Sequence, residues 1–193
     1  MSAGAVPAGR TGAGALISAA VEATQASAGW LMAPGDGGLV IVAAHGGSPE
    51  WAASLVGRAV DPDGATAALV IQSGQPVALQ PGSTSLQDAT ALALLGRPPV
   101  SLVCVPCVAG ERVTGALQVV DRSDGGAFDF DSVELATLLG GIAGVVLDEL
   151  SETEATQHDL PSPTRLAEDL SRLAEVEPER YAAAVVVIEA LLA

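Results

Sequence analysis

The stretch Val100–Asp121 reads VSLVCVPCVAGERVTGALQVVD. Two apolar runs flank Ala109-Gly110-Glu111, a short turn in which Gly supplies the positive φ that tight connections need. The run therefore predicts two strands joined as a hairpin. Downstream lie a Gly/Asp loop, Phe128 and an apolar helix from about Asp131 to Leu150. Asp131 is the expected N-cap, with Glu134 three residues on as in a capping box. Along that helix Leu135, Leu139, Ile142, Val146 and Leu150 form a stripe of large residues. Ala136, Gly140, Ala143, Gly144 and Leu147 form a second stripe of mostly small ones. One stripe should cover the sheet. The other admits a second helix at close range, either this chain's own first helix or that of a second copy.

Upstream, Ala13–Ala28 carries Leu16, Ile17, Ala20, Val21 and Thr24 at helical spacing. Gly29–Ala33 and Leu39–His45 flank Pro34-Gly35-Asp36-Gly37-Gly38 and read as strand, tight turn, strand. Ser48-Pro49-Glu50 is a helix start, with Ser as N-cap and Pro at the first position. Asp63-Gly64-Ala65-Thr66 starts another short helix, ending near Ser73-Gly74. Gln75–Leu79 reads as a strand, and Ser83–Leu95 as a helix with Leu86 on its apolar side. Gly96-Arg97-Pro98-Pro99 breaks that helix before the hairpin.

This order of elements resembles a GAF domain over about residues 14–150. The resemblance rests on the opening helix and Gly/Asp hairpin, the Gly74-Gln75-Pro76-Val77 step, the strand with Val105-Pro106, the Gly115-Ala116-Leu117 strand, and Phe128 before a helix. It implies an α/β (α+β) fold, an antiparallel sheet flanked by helices. Such domains are mostly sensory or binding modules, and the fold by itself names no ligand.

Composition narrows the possible partners. Of 193 residues, 49% are apolar, enough for a substantial core, and aromatics supply only 3%, so Val, Leu, Ile and Ala must fill it. The chain contains no Lys, hence no Schiff-base lysine and no phosphate loop of the lysine type. A net charge of −15 argues against nucleic acid and anionic membrane surfaces, which need basic partners. Two cysteines and no secretory leader point to a reducing cytoplasm. The longest apolar run, Ala182–Ile188, falls far short of the ~20 residues of a membrane span.

Cys104 and Cys107 form a C-x-x-C. In a strand, residues three apart face opposite sides, and zinc would need two further ligands, so both cysteines read as structural. The resemblance suggests several ligands and one activity. Haem would need an axial histidine, for which His45 is the candidate. Bilins attach through a cysteine, and neither Cys104 nor Cys107 stands in a Cys-His pair. Cyclic-nucleotide-binding members carry Asn-Lys…Phe…Asp-Glu, where this chain has Asp121-Arg122…Phe128…Asp131. Methionine sulfoxide reductases of the family use cysteines in the loop before the sheet, and Ser83–Pro99 holds none. No cofactor, metal or catalytic residue is expected.

The chain is expected to comprise a disordered lead (1–13), the GAF-like domain (14–150), a linker (151–163) and a C-terminal helical pair (164–193). Leu166, Leu170 and Leu173 share one face of the first of these helices. The second, Glu179–Leu192, is apolar nearly all round, so Leu166, Leu170, Leu173, Tyr181, Val185, Ile188 and Leu192 should dock a partner, the alternative being that the segment folds back on its own domain. A homodimer is expected through Leu16, Ala20, Gly140, Gly144 and Leu147. The function expected is a non-catalytic sensor or adaptor acting through protein contacts, with a small ligand in the domain's pocket as the alternative.

Overall fold

The structure, a computed structural model, describes residues 8–35, 37–81, 88–158, 163–182 and 185. In chain order the elements are α1 (Ala8–Ala23), β1 (Ala26–Gly35), β2 (Gly38–Gly46), α2 (Pro49–Leu55), β3 (Ala59–Val60), α3 (Thr66–Ser73), β4 (Val77–Leu79), α4 (Ala89–Leu95), β5 (Leu102–Ala109), β6 (Arg112–Arg122), α5 (Phe130–His158) and α6 (Pro163–Val176). The strands form one antiparallel sheet in the order β3-β2-β1-β6-β5-β4. The chain divides into two units, 1–151 and 152–193.

Two glycines set the hairpins. Gly35 pairs with Gly38 across the β1–β2 turn, where Gly37 takes φ +83°. Ala109 pairs with Arg112, and Gly110 takes φ +62°. Each sheet face carries its own core. Trp30, Met32, Ile41, Leu102, Cys104 and Val120 pack beneath α2, α3 and α4. Leu31, Val103, Val105, Leu117 and Val119 pack beneath α1 and α5, with Phe128 plugging the entrance to α5.

Several boundaries differ from expectation. Residues 1–7 of the expected lead lie outside the described residues, and from Ala8 the chain is helical rather than disordered. The first helix is α1, Ala8–Ala23, not Ala13–Ala28. Gln25 turns the chain at φ +55°, and the apolar residues from Ala26 onward pair in β1. Of the expected helix Ser83–Leu95, α4 supplies Ala89–Leu95, while residues 82–87, Leu86 included, lie outside the described residues. The expected linker 151–163 is helical through His158, where α5 ends, and again from Pro163. Residues 159–162 lie outside the described residues.

The capping of α5 also differs. Asp129, not Asp131, is the acceptor: its Oδ1 takes the Ser132 backbone N–H at 2.9 Å and the Ser132 hydroxyl at 2.6 Å. Arg122 donates to its other oxygen at 3.0 Å. The Ser132 hydrogen bonds, then Arg122, hold the Asp129 carboxyl down at about 2.

The stripe of small residues on α5 faces the chain's own sheet. A Cβ at Gly140 would lie 2.9 Å from the Pro106 carbonyl oxygen, and one at Gly144 would overlap the Val108 backbone. A bulge accommodates this approach. Cys107 pairs with Gly115 and Val108 with Val113, leaving Thr114 as the extra residue. The Thr114 hydroxyl donates to the Gly144 carbonyl at 3.0 Å. By length and composition Phe130–Glu152 could cross a membrane, although no uninterrupted apolar run of that length was evident. Here one side of that segment, through Ala136, Ala143 and Leu147, is the lid of a core.

Gly144→Ala should lower stability by about 2 kcal/mol or more, because the added methyl meets backbone that cannot rotate away. Gly141→Ala, three residues away in the same helix, meets nothing within 4 Å. It should raise stability by about 0.5–1 kcal/mol through helix propensity alone. Urea unfolding of the two variants checks both signs.

The Asp129 cap predicts a pH dependence. A carboxylate whose pKa is depressed on folding stabilises fully above its unfolded value, about 4. That contribution is lost as the pH falls through about 2. Asp129→Asn should therefore be less stable than wild type at neutral pH and decline less steeply through this acid range, as followed by denaturant titrations at stepped pH.

Candidate functional site

Strand β6 is apolar through Leu117, Val119 and Val120, with one amide among them, Gln118. Gln118 pairs directly with Trp30 of β1 on one side and with Cys104 of β5 on the other. Residues directly opposite in a sheet share a face, so indole, carboxamide and thiol form a row across three strands beneath α3 and α4. All three side chains are fully buried. The Trp30 indole N–H and both polar atoms of Gln118 have no hydrogen-bond partner among the described residues. The Thr90 hydroxyl, on the first turn of α4, is also buried and unpartnered.

Asp88 organises the roof of this row. It is 1% exposed, and its two carboxylate oxygens serve different helices. Oδ1 accepts the Ala91 N–H at 2.6 Å, capping α4. Oδ2 accepts the Thr66 N–H at 2.8 Å, at the start of α3, whose own N-cap position is occupied by Ala65. Burial first, then the Asp88 charge and Cys107, pushes the Cys104 thiol well above its ordinary range. Thr90 also lines a cleft of about 90 Å³ with Arg58, Val60, Asp61 and Leu94.

Cys104 and Cys107 are unpaired and lie in the two different cores, as strand alternation requires. Burial raises Cys107 to about 12, so neither thiol is poised as a thiolate. Among the described residues no group of three or more His, Cys, Asp or Glu side chains could hold a metal.

His45 does not belong to this site. Leu31 pairs with Ala43 and Met32 with Ile41, so Val42 is an extra residue in β2. Beyond that bulge the facing inverts. Ala44 packs on the Trp30 side, and His45 sits opposite Gly29, whose Cβ would point at Val21 and Ile17 of α1. The register therefore places His45 on the α1 side of the sheet, away from the α2–α4 face.

The residues expected at a dimer interface are also placed elsewhere. Ala20, Gly140, Gly144 and Leu147 are buried within their own domain, and Leu16 packs at the edge of the same core. They are spent on α1 and α5 covering the sheet. The side of α5 that remains open carries Leu135, Leu138, Ile142 and Val145, between 40% and 63% exposed. In the C-terminal unit Leu166, Leu170 and Leu173 fall in α6. The side chains of Leu170, Leu173 and Val185 are half-buried, and Tyr181 is exposed. Ile188 and Leu192 lie outside the described residues.

A second cleft, of about 200 Å³, lies between Ala33, Pro34, Val113, Thr114 and the Leu147–Ser151 turn of α5, and an Arg112–Asp148 ion pair borders it.

The comparisons agree with this geometry. A family model described as "GAF domain" matches residues 13–148. Among solved structures, the GAF domain of a phosphoenolpyruvate-protein phosphotransferase from Coxiella burnetii superposes with a TM-score of 0.64 at 16% identity, covering 78% of this chain and 89% of that one. The GAF-B domain of DevS from Mycobacterium smegmatis gives 0.57 at 19% identity, over 77% and 98% of the two chains. The blue-light absorbing form of the PixJ GAF domain from Thermosynechococcus elongatus gives 0.58 at 17%, over 79% and 92%. At these identities the likeness is one of fold. No match was found among curated proteins.

The double cap makes Asp88 the most sensitive polar residue of the site. Asp88→Ala orphans two backbone N–H groups in a dry environment and should cost about 2–4 kcal/mol. Asp88→Asn, which keeps one acceptor oxygen, should cost less. Amide hydrogen exchange at Thr66 and Ala91 should quicken in both variants, and unchanged exchange at Thr66 would show that the second cap contributes nothing.

Proposed function

The chain belongs to the GAF domain family, and from that premise we propose that it is a non-catalytic cytosolic regulatory adaptor, paired with a second copy along the outer face of α5. The observation that carries this reading is the stripe Leu135, Leu138, Ile142 and Val145, spaced at three, four and three residues on a helix whose other side already covers the sheet. That spacing is the apolar seam of a helix awaiting a partner. Four such side chains left in water forgo on the order of 1.5–3 kcal/mol each. An antiparallel or parallel crossing of two α5 helices buries the stripe symmetrically. The C-terminal helices, with Tyr181 and Val176 exposed, supply a further surface for a protein partner.

A second reading is favoured by a different observation. The buried, unpartnered Gln118, Trp30 and Thr90 suit a sensor that takes a small molecule between the sheet and α3–α4. The two readings combine naturally: occupancy on one face of the sheet would be felt by the helices on the other through strands buried on both sides.

Analytical ultracentrifugation tests the first reading. Wild type should sediment as a dimer at micromolar concentration, and Leu138→Glu with Ile142→Glu should give a monomer with an unchanged circular dichroism spectrum. A monomeric wild type would sink the pairing.

A further inference from the structure

We propose that the cleft where α5 passes the two hairpin tips binds a small zwitterion with an aliphatic body, of the α-amino acid class. The cleft lies beneath α5 and is independent of both readings above. The sheet itself makes the opening. The β1–β6 ladder ends at Met32–Ala116, yet β1 continues to Gly35 and β6 begins at Arg112. Beyond that pair each strand stays with its hairpin partner, β2 or β5, and the two hairpins part. The bulge that leaves Thr114 unpaired lies at the parting. Bulges commonly end pairing and re-aim side chains beside sites. Gly115 lets Leu147 close the bottom. A Cβ at 115 would lie 2.5 Å from Leu147 Cδ1 and would overlap the Met32 carbonyl oxygen.

The lining narrows the occupant. Ala33, Pro34, Val113 and Leu147 supply an apolar wall, and Arg112, Asp148 and Ser151 stand beside it. The Thr114 hydroxyl is committed to the Gly144 and Cys107 carbonyls, at 3.0 and 3.2 Å. The groups left for recognition are the Arg112 guanidinium and the Asp148 carboxylate, here paired with each other. Arg112 is largely exposed and Asp148 largely covered. A pair open to water on one side adds little to stability and can be exchanged. An anion taking Arg112 would strand the Asp148 charge beside it, on a helix where Glu149 and Glu152 follow. An amine taking Asp148 would strand Arg112. A ligand with both charges on one carbon exchanges one ion pair for two. Its carboxylate meets the guanidinium fork and its ammonium meets Asp148. At about 200 Å³ the cleft falls below the ~300 Å³ at which drug-sized pockets begin, which limits the ligand to the size of a single amino acid. An aliphatic side chain suits the wall of Pro34, Val113 and Leu147.

The test uses the full chain, labelled with nitrogen-15 and titrated with L-valine and L-leucine. Three contrasts take the ligand apart. Isovalerate keeps the carboxylate alone, isobutylamine the ammonium alone, and glycine the zwitterion without its aliphatic body. Saturable shifts of the Val113, Thr114 and Ser151 backbone amides are expected with L-valine or L-leucine at millimolar concentration, and much weaker ones with each contrast. Arg112→Gln and Asp148→Asn should each weaken the better amino acid about tenfold and leave the melting temperature level. Arg112→Lys, which keeps the charge and loses the fork, should fall between wild type and Arg112→Gln. If isovalerate or isobutylamine binds as tightly as L-valine, one charge suffices and the zwitterion class is overturned. If glycine does, the apolar wall contributes nothing and the aliphatic class is overturned. Undiminished binding in both charge-removing variants, or no saturable shift with any probe, would overturn the site and leave Arg112–Asp148 a plain surface bridge.

Discussion

Burial of the central strands on both faces is the constraint on which the rest of the structure depends. In β6 every residue from Gly115 to Asp121 is buried, and β5 is buried from Leu102 to Cys107. A strand enclosed on both sides cannot show the simple alternation of a half-wet sheet. It reads as one apolar run, and its neighbours on each side must be covered by separate layers. That requirement explains why the chain devotes two long helices to one face and three short ones to the other. It also explains why the small residues of α5 are where they are. The helix axis can approach β5 only where Gly140 and Gly144 present no side chain, beside the bulge that leaves Thr114 unpaired in β6.

The two layers differ in kind. The α1–α5 side is held by continuous apolar contact and a glycine seam, the arrangement of a rigid support. The α2–α4 side is built from helices of seven or eight residues, too short to be stable by themselves. They depend on caps: Ser48 on α2, Gly74 and Gly96 at the ends of α3 and α4, and Asp88 shared between α3 and α4. A roof held by local hydrogen bonds over a row of unpaired polar groups can rearrange at lower cost than the glycine seam opposite.

Much of this was legible in the sequence because it rests on local chemistry. Gly110, the Gly37-Gly38 turn, Ser48-Pro49 and Gly74 each announce a backbone geometry that few other residues satisfy, and the family's order of elements followed from them. What was not legible depends on register and approach. Both stripes of α5 are apolar, so periodicity could not tell which one met the sheet, and the assignment of Gly140 and Gly144 to a dimer interface inverted the answer. Plain alternation from Leu39 would put His45 on the α2–α4 face. The extra residue at Val42 reverses it. Gln118 drew no notice within an apolar strand, although one amide between Leu117 and Val119 was itself the signal. Asp88 before an Ala/Leu-rich helix was equally visible as a cap.

The corrected facing of α5 changes which of its stripes is free for another surface. Were the small-residue stripe free, a second copy would sit against glycines, and its position would be independent of the sheet. Because that stripe is fixed on β5, the outer stripe of Leu135, Leu138, Ile142 and Val145 is held to the sheet through Gly140, Gly144 and the Thr114 hydrogen bond. Gln118 lies in β6, four residues from Thr114, which donates to the Gly144 carbonyl. Strand β6 is thus joined to α5 by the Thr114 hydroxyl, and β5 by the glycine contacts.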